Sequence, residues 1–400
     1  MRDTHDEAGR TQIRRSRFLR DVLICSLGAY GGPESHIGVF LNQLVKKRKY
    51  LTEEDLIELL ALCTMLPGPS STQTIVSVGY RAGGPVLAFL TLLVWALPVL
   101  VLMTLASFAY GWLDSRGLST GVLRYIGPMA IGFIGYAAVR IGRKVVSDAM
   151  TWGLFLSSAA ATFLVRDPWV FPVVLVAGGL VAIFVNREAG MWHAVPLRPP
   201  WIYLGLFAGL AVAAIVAASL ADDRIVQLFE SFYRYGYLVF GGGQVVVPVM
   251  QSELVDVRHY ITNEEFLAGY GLVQGLPGPM FSFAAYAGGL AAREAGHAYQ
   301  ILGAVAGGIG IFLPGLLLIF FVYPVWDGVR RIRAIRIALR GVNAVAGGLI
   351  AVSAVVLAQA AGLTAVTLAI AGATALILGF TRIPAPVLVA AALIAGVVIT

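Results

Sequence analysis

Leu66-Pro67-Gly68-Pro69 interrupts an apolar run and is followed by Ser70, Ser71, Thr72 and Gln73; Leu276-Pro277-Gly278-Pro279 interrupts another at an offset of 210 residues. At that fixed offset Gly31-Gly32 aligns with Gly241-Gly242, Arg48 with Arg258, Tyr50 with Tyr260, Thr52 with Thr262, Glu54 with Glu264 and Gly79 with Gly289. About fifteen identities fall in the fifty ungapped positions 30 to 79, so the chain carries a duplicated unit. Proline removes a backbone donor and glycine loosens the chain, so a helix entering Pro-Gly-Pro must stop and restart.

The setting makes those breaks expensive. The 400 residues are 58% hydrophobic and 13% charged, with a mean hydropathy of +0.82, which marks an all-α polytopic membrane protein. Inside a bilayer each freed N–H or C=O costs several kcal/mol unless protein, ligand or water satisfies it, so broken helices persist where they line a protected cavity. Corresponding interruptions in two halves of a chain point to a transport site. Residues 1 to 17, with Arg10, Arg14, Arg15 and Arg17, read as a cytoplasmic basic arm without the apolar core of a cleavable signal peptide. The net charge of +7 is then assigned to cytoplasmic loops of a protein in the cell membrane rather than to nucleic-acid binding. Cys25 and Cys63 both lie in apolar runs and read as buried small hydrophobes.

Taken in order, an apolar stretch from Phe18 to about Val45 breaks at Gly31-Gly32-Pro33, and Thr52 with Asp55 three residues on predicts a capped helix start. That helix carries Glu58 and ends at Pro-Gly-Pro; a half-helix then runs from Ser70 to about Tyr80. Apolar runs follow at about 85 to 110, 124 to 140, 150 to 165, 168 to 186 and 201 to 220. The second unit starts near Ile225, breaks at Gly241-Gly242-Gly243 and at Pro277-Gly278-Pro279, and continues with runs at about 298 to 325, 336 to 360, 362 to 379 and 383 to 399. The expected division is a basic arm (1–17), a first unit (18–190), a linker with one crossing helix (191–224) and a second unit (225–400). Five crossings between the two starts would invert one unit relative to the other. That count places Arg140 to Lys144, Arg187 and the Arg330, Arg331, Arg333, Arg336 cluster inside, and the Lys- and Arg-poor loops around Asp114, Asp222 and Asp256 outside. Re-entrant pairs would keep Lys46 to Lys49 inside as well, whereas full crossings would not.

A restarting half-helix directs free N–H groups and its positive dipole end into the membrane, which suits an anion. The candidate binding residues are Gly31, Gly32, His36, Pro67, Gly68, Pro69, Ser70, Ser71, Thr72 and Gln73 in the first unit, and Gly241, Gly242, Gly243, Gln244, Pro277, Gly278, Pro279 and Ser282 in the second. Met280 and Phe281 leave the second unit poorer in donors. The Ser-Ser-Thr hydroxyls either cap their own helix or line a substrate path, and the paired glycines either allow close packing or expose backbone. Glu34, His36 and Glu58 are the candidates for proton coupling, set against structural pairing or, for Glu58, an interfacial position. Asn343 reads first as a bond to a neighbouring helix, and Trp112, Trp152, Trp169 and Trp201 as interface anchors. No Walker loop and no metal-ligand spacing is present, so neither an enzyme, a cofactor nor ATP-driven transport is expected.

The ordered set Gly31-Gly32-Pro33 with His36, Tyr50-Leu51-Thr52-Glu53-Glu54, Leu66 to Gln73, Phe240-Gly241-Gly242-Gly243, Pro248, Tyr260-Ile261-Thr262, Glu264-Glu265-Phe266, Gln274 to Pro279 and Phe312-Leu313-Pro314 resembles the chromate ion transporter family in its long, two-domain form. The likeness covers essentially residues 18 to 399. It departs at Tyr30, where phenylalanine is usual, at Met280-Phe281, and in an individual linker around Met191 to Pro200. The resemblance implies export of chromate from the cytoplasm and hence resistance, with sulfate as the related oxyanion and the proton gradient as energy source. A dianion would sit between the half-helix ends after Pro69 and Gly32, with Glu34 cycling protons during alternating access. A sulfate or oxyanion exchanger and a passive anion channel are the alternatives, and a homodimer is compatible with the sequence.

Overall fold

The structure, a computed structural model, describes residues 14–187, 198–240, 244 and 246–398, with backbone alone at 33, 34 and 120. All regular structure among the described residues is helical. The first unit runs α1 (Arg15–Gly28), α2 (Pro33–Phe40) with a π-helical extension Leu41–Lys47, α3 (Glu53–Met65), α4 (Ser70–Asp114), α5 (Ser119–Val122), α6 (Ile126–Val145), α7 (Ala149–Val165) and α8 (Val170–Val185). After α9 (Trp201–Leu220) the order repeats: α10 (Arg224–Leu238), α11 (Val246–Gln251) with π-helical Ser252–Val257, α12 (Asn263–Gln274), α13 (Phe283–Ala292), α14 (His297–Val322), α15 (Trp326–Val329), α16 (Arg333–Ala360), α17 (Ala365–Phe380) and α18 (Ala385–Val398).

Local chemistry accounts for the boundaries. Thr52 and Thr262 each accept from the N–H three residues on, while Asp55 and Glu265 answer the cap backbone, which makes two reciprocal capping boxes. The half-helix expected to end near Tyr80 instead continues as α4 to Asp114, bent at Gly83-Gly84, where Gly84 takes φ 74° and Pro85 opens the next segment. Gly296, with φ 100°, makes the corresponding break before α14. The helices α4, α9 and α16, and α14 with its continuation to Val329, are long and apolar enough to cross a bilayer. Trp112, Trp152, Trp169 and Trp201 stand exposed, as interface anchors do. Both cysteines are buried and free.

The two units interlock rather than sit side by side. α6 of the first packs on α12 and α17 of the second, and α16 packs on α7 and α8 of the first. At the centre, Gly68 donates its N–H to Val239 O at 2.7 Å, and Gly278 donates to Ala29 O at 2.8 Å. The prolines on either side have no N–H, so each Pro-Gly-Pro owns one donor, and it caps the last carbonyl of the other unit's opening helix.

A second repeated device holds each opening helix to its π-helical turn. Asp21, fully buried, accepts from Gln43 Nε2 (3.0 Å), Arg48 Nε (3.0 Å) and Tyr50 OH (2.6 Å). In the second unit the acid has moved to the turn: Glu253 accepts from Ser231 Oγ (3.0 Å), Arg234 (2.9 Å) and Arg258 Nε (3.0 Å), and Arg258 meets Tyr260 OH at 3.1 Å. Asp21 thus corresponds to Ser231 and Gln43 to Glu253, with arginine and tyrosine unchanged.

Two predictions come from this frame. Gly68 and Gly278 hold φ of 117° and 108°, and an added Cβ would meet Gln73 Nε2 or Val99 Cγ1 at 2.9 Å. Alanine at either should therefore cost about 1–3 kcal/mol, read as a lower midpoint in a detergent thermal-unfolding assay, and an unchanged midpoint would refute the need for glycine at these turns. Asp21→Ser alone should lower that midpoint by several degrees. Adding Gln43→Glu, which copies the second unit's arrangement, should restore most of it, and a double variant no better than the single would show that the two networks are not equivalent.

Candidate functional site

The site grows from the turn between α1 and α2. Gly31 and Gly32 take φ of 81° and 90°, a left-handed pair that lets α2 restart at Pro33 within four residues of Ala29, the carbonyl that Gly278 caps. One turn in, His36 is buried, its Nδ1 3.0 Å from Ser71 Oγ at the start of α4. Its ring meets Trp95 edge-on at 5.3 Å, and Phe40 meets the same indole at 5.2 Å. Trp95 Nε1 donates to Thr72 Oγ1 at 3.1 Å, and Ser26 Oγ donates to Trp95 O at 2.7 Å. Through its indole and its carbonyl, Trp95 therefore ties α1, α2 and both segments of α4 into a unit.

That arrangement separates the two readings of the serines and threonine. α4 has no side-chain cap at Pro69. Ser71 turns to His36 and Thr72 to Trp95, so these hydroxyls do not cap their own helix. Gln73 donates to Pro67 O at 2.8 Å and to Gly315 O, on α14, at 3.5 Å. A Cβ at Gly315 would stand 3.2 Å from Gln73 Nε2, so a larger residue there would displace this amide by a few tenths of an ångström. Two acceptor or donor atoms are left without partners inside this shell, His36 Nε2 and Gln73 Oε1. A cavity of about 10 Å³ opens beside Gln73, lined among others by Pro69, Thr72, Phe312 and Gly315; it has room for about one water.

The second unit repeats the backbone without the polarity. Val246, Phe281 and Phe283 occupy the positions of His36, Ser71 and Gln73, and Ser282 answers Thr72 with a fully buried, unpartnered hydroxyl. Its own cavity of about 10 Å³ is apolar, lined by Val246, Met250, Tyr270, Phe281, Phe283 and Ile311 among others. Gln244 crosses to the first unit, its Nε2 lying 4.0 Å from where a Cβ on Gly32 would be. Gly241, Gly242 and Gly243 lie outside the described residues, as does the side chain of Glu34.

Glu58 is not brought into this cluster. It lies partly exposed midway along α3, ion-paired with Arg330 and accepting from Trp326 Nε1 at 3.2 Å. The carboxamide oxygen of Asn343 is buried without a partner, so the expected interhelical bond from that atom is absent. Sequence reasoning missed Trp95 and Gly315. Neither carries a local signal: one is a tryptophan in an apolar run, the other the residue after a proline inside a helix.

These features can be set beside known proteins. The chromate transporter family model matches residues 17–183 and 226–397. A chromate transport protein of Pseudomonas aeruginosa is 30% identical over 353 residues, 86% of this chain and 80% of that one. One from Cupriavidus metallidurans is 28% identical over 338 residues, 82% and 79% of the two chains. A probable chromate transport protein of Synechococcus elongatus is 27% identical over 377 residues, 93% of each chain. No solved structure matches the chain. With both halves matched and the polar site lodged at the breaks they share, the chain belongs to the chromate transporter family of membrane proteins.

Proposed function

We propose that this chain is a secondary transporter that exports chromate across the cytoplasmic membrane, energised by the proton gradient, and so confers chromate resistance. The observation that supports this most is the polar cluster where α4 restarts after Pro-Gly-Pro: Thr72 and Gln73 line one small cavity, and the adjacent Ser71 meets the buried His36. Buried hydroxyl and imidazole groups beside a helix N-terminus are the donor set an oxyanion needs. Chromate and sulfate are both tetrahedral oxyanions, so sulfate is the natural competitor.

The cavity is far too small for such an anion, which makes this a closed conformation. Opening requires the two units to part at their interlocked centre, and alternating access supplies that motion. The five helices between the repeated openings (the later segment of α4, then α6, α7, α8 and α9) support an inverted pair of units, 18–190 and 225–400, joined through 191–224. The same count supports a cytoplasmic position for residues 1–17 and for the arginines around Arg330. Coupling is assigned to α2, where Glu34 and His36 lie at the break, since Glu58 is engaged with Arg330.

Counterflow of labelled chromate into proteoliposomes, with and without an imposed pH gradient, tests the reading directly. Gradient-dependent accumulation is expected; sulfate-driven exchange indifferent to pH would make the protein an oxyanion exchanger, and flux following only the anion's own gradient a channel. Replacing Ser70, Ser71 and Thr72 together by alanine should reduce uptake at least about 100-fold while the protein still reaches the membrane, and wild-type uptake would remove the site from the transport path. Glu34→Gln should abolish the response of accumulation to an imposed pH gradient; a retained response moves coupling to another group.

A further inference from the structure

From the polar groups around the α4 cavity we infer that the site takes the monoprotonated oxyanion, hydrogen chromate, and that Gln73 Oε1 accepts the hydrogen bond from its hydroxyl. This deepens the transport reading above and rests on it.

Three observations carry the inference. The eight residues lining the cavity (Pro69, Thr72, Gln73, Val76, Leu92, Phe312, Gly315 and Leu316) include no charged side chain. The cost of bringing an ion into such surroundings grows with the square of its charge, so a dianion is penalised far more than a monoanion. Next, the orientation of the Gln73 amide is set by its partners. Both groups facing Nε2 are carbonyls, Pro67 O and Gly315 O, and a flipped amide would press its oxygen against them. Oε1 is therefore an acceptor, on a side chain only 2% exposed, with no donor in the protein. Finally, an unpartnered acceptor is the wrong group to offer a bare dianion, whose oxygens all accept. It is the right group for an anion that carries one hydroxyl. The remaining oxygens would find donors in the Thr72 hydroxyl, which accepts from Trp95 and is free to donate, and in the first-turn N–H groups of α4.

This choice separates chromate from sulfate where size and shape do not. Hydrogen chromate gives up its proton near neutral pH, whereas hydrogen sulfate keeps its own only in strong acid. In a cytoplasm near neutrality a fraction of chromate carries the matching hydroxyl, and sulfate essentially never does. A buried group that must bond a hydroxyl rejects the analogue lacking it far more strongly than an apolar pocket rejects a difference in size. In binding, the proton stays on the anion; the protons that drive export enter separately, through the groups of α2. Among the described residues, none that lines the cavity with Gln73 is titratable: α14 contributes Phe312, Gly315 and Leu316, and the Pro-Gly-Pro turn contributes Pro69 and the Pro67 carbonyl; beyond that lining, Cys63 of α3 lies 3.6 Å from Ser77 Oγ and His36 of α2 is joined to Ser71.

The test is equilibrium binding to the purified full-length protein by calorimetry between pH 6 and 8, at micromolar anion. The probes are chromate, sulfate and perchlorate, a tetrahedral monoanion without a proton. Chromate affinity should fall about tenfold per pH unit above chromate's own pKa, perchlorate affinity should stay flat, and sulfate should bind at least about 100-fold more weakly than chromate at pH 6.5. Gln73→Met should remove both the pH slope and the preference for chromate over perchlorate. Gly315→Ala, which displaces the amide without deleting it, should do the same to a smaller degree if the methionine variant fails to fold. Chromate affinity that is flat or rises with pH, or sulfate binding as tight as chromate, overturns the inference. So does a slope shared by perchlorate, which would assign the titration to a protein group such as His36. In those cases chromate still binds and the transport reading stands; absence of chromate binding and flux at every pH removes the transport reading itself.

Discussion

Two hydrogen bonds that run in opposite senses across the middle of the molecule set the terms for everything around them. A proline-flanked glycine has one N–H to give, and here it gives it to the last carbonyl of a helix in the other half: Gly68 to Val239, Gly278 to Ala29. An uncapped helix end in a low-dielectric interior would be costly, so neither half can present its broken helix without the other. The break and its remedy are thus shared between the units, and the site lies where that sharing brings two restarted helices together.

On this duplicated frame the chemistry is one-sided. Equivalent backbone positions hold His36 and Val246, Ser71 and Phe281, Gln73 and Phe283. A duplicated chain starts with two equal sites; here one keeps donors and an open acceptor while the other is filled with aromatic rings. The apolar half still has work to do, because it closes over the polar one: Phe312 and Gly315 of the second unit line the first unit's cavity. The anchoring networks show the opposite outcome of divergence. The buried acid moved from the helix, Asp21, to the turn, Glu253, while the arginine and tyrosine stayed, so the electrostatic balance survived a change at both acid positions.

Much of the fold was legible because it depends on local chemistry. The capping boxes at Thr52 and Thr262 follow from a hydroxyl and an acid three residues apart, and the long apolar runs became helices with ends within a few residues of those expected. The bend of α4 was less legible. Gly83-Gly84-Pro85 was absorbed into the gap between two expected helices, and only the structure shows one continuous element with a hinge. Glu58 illustrates the limit of reading an ionisable residue by its distance from a break, since its partner Arg330 comes from far along the chain.

By itself the sequence determined that the chain is a duplicated membrane unit interrupted at glycine and proline, and that the first copy holds most of the polar groups. Those properties belong to backbone dihedrals, missing N–H groups and hydropathy, all of which act over a few residues. Only the tertiary structure decided what each interruption faces. His36 reaches Ser71 across 35 residues and Gln73 reaches Gly315 across 242. The orphaned Gln73 oxygen exists because two distant carbonyls claim the other end of its amide. Such contacts leave no periodicity or spacing in the chain; they arise when packed helices bring groups together in a medium where each polar atom must find a partner.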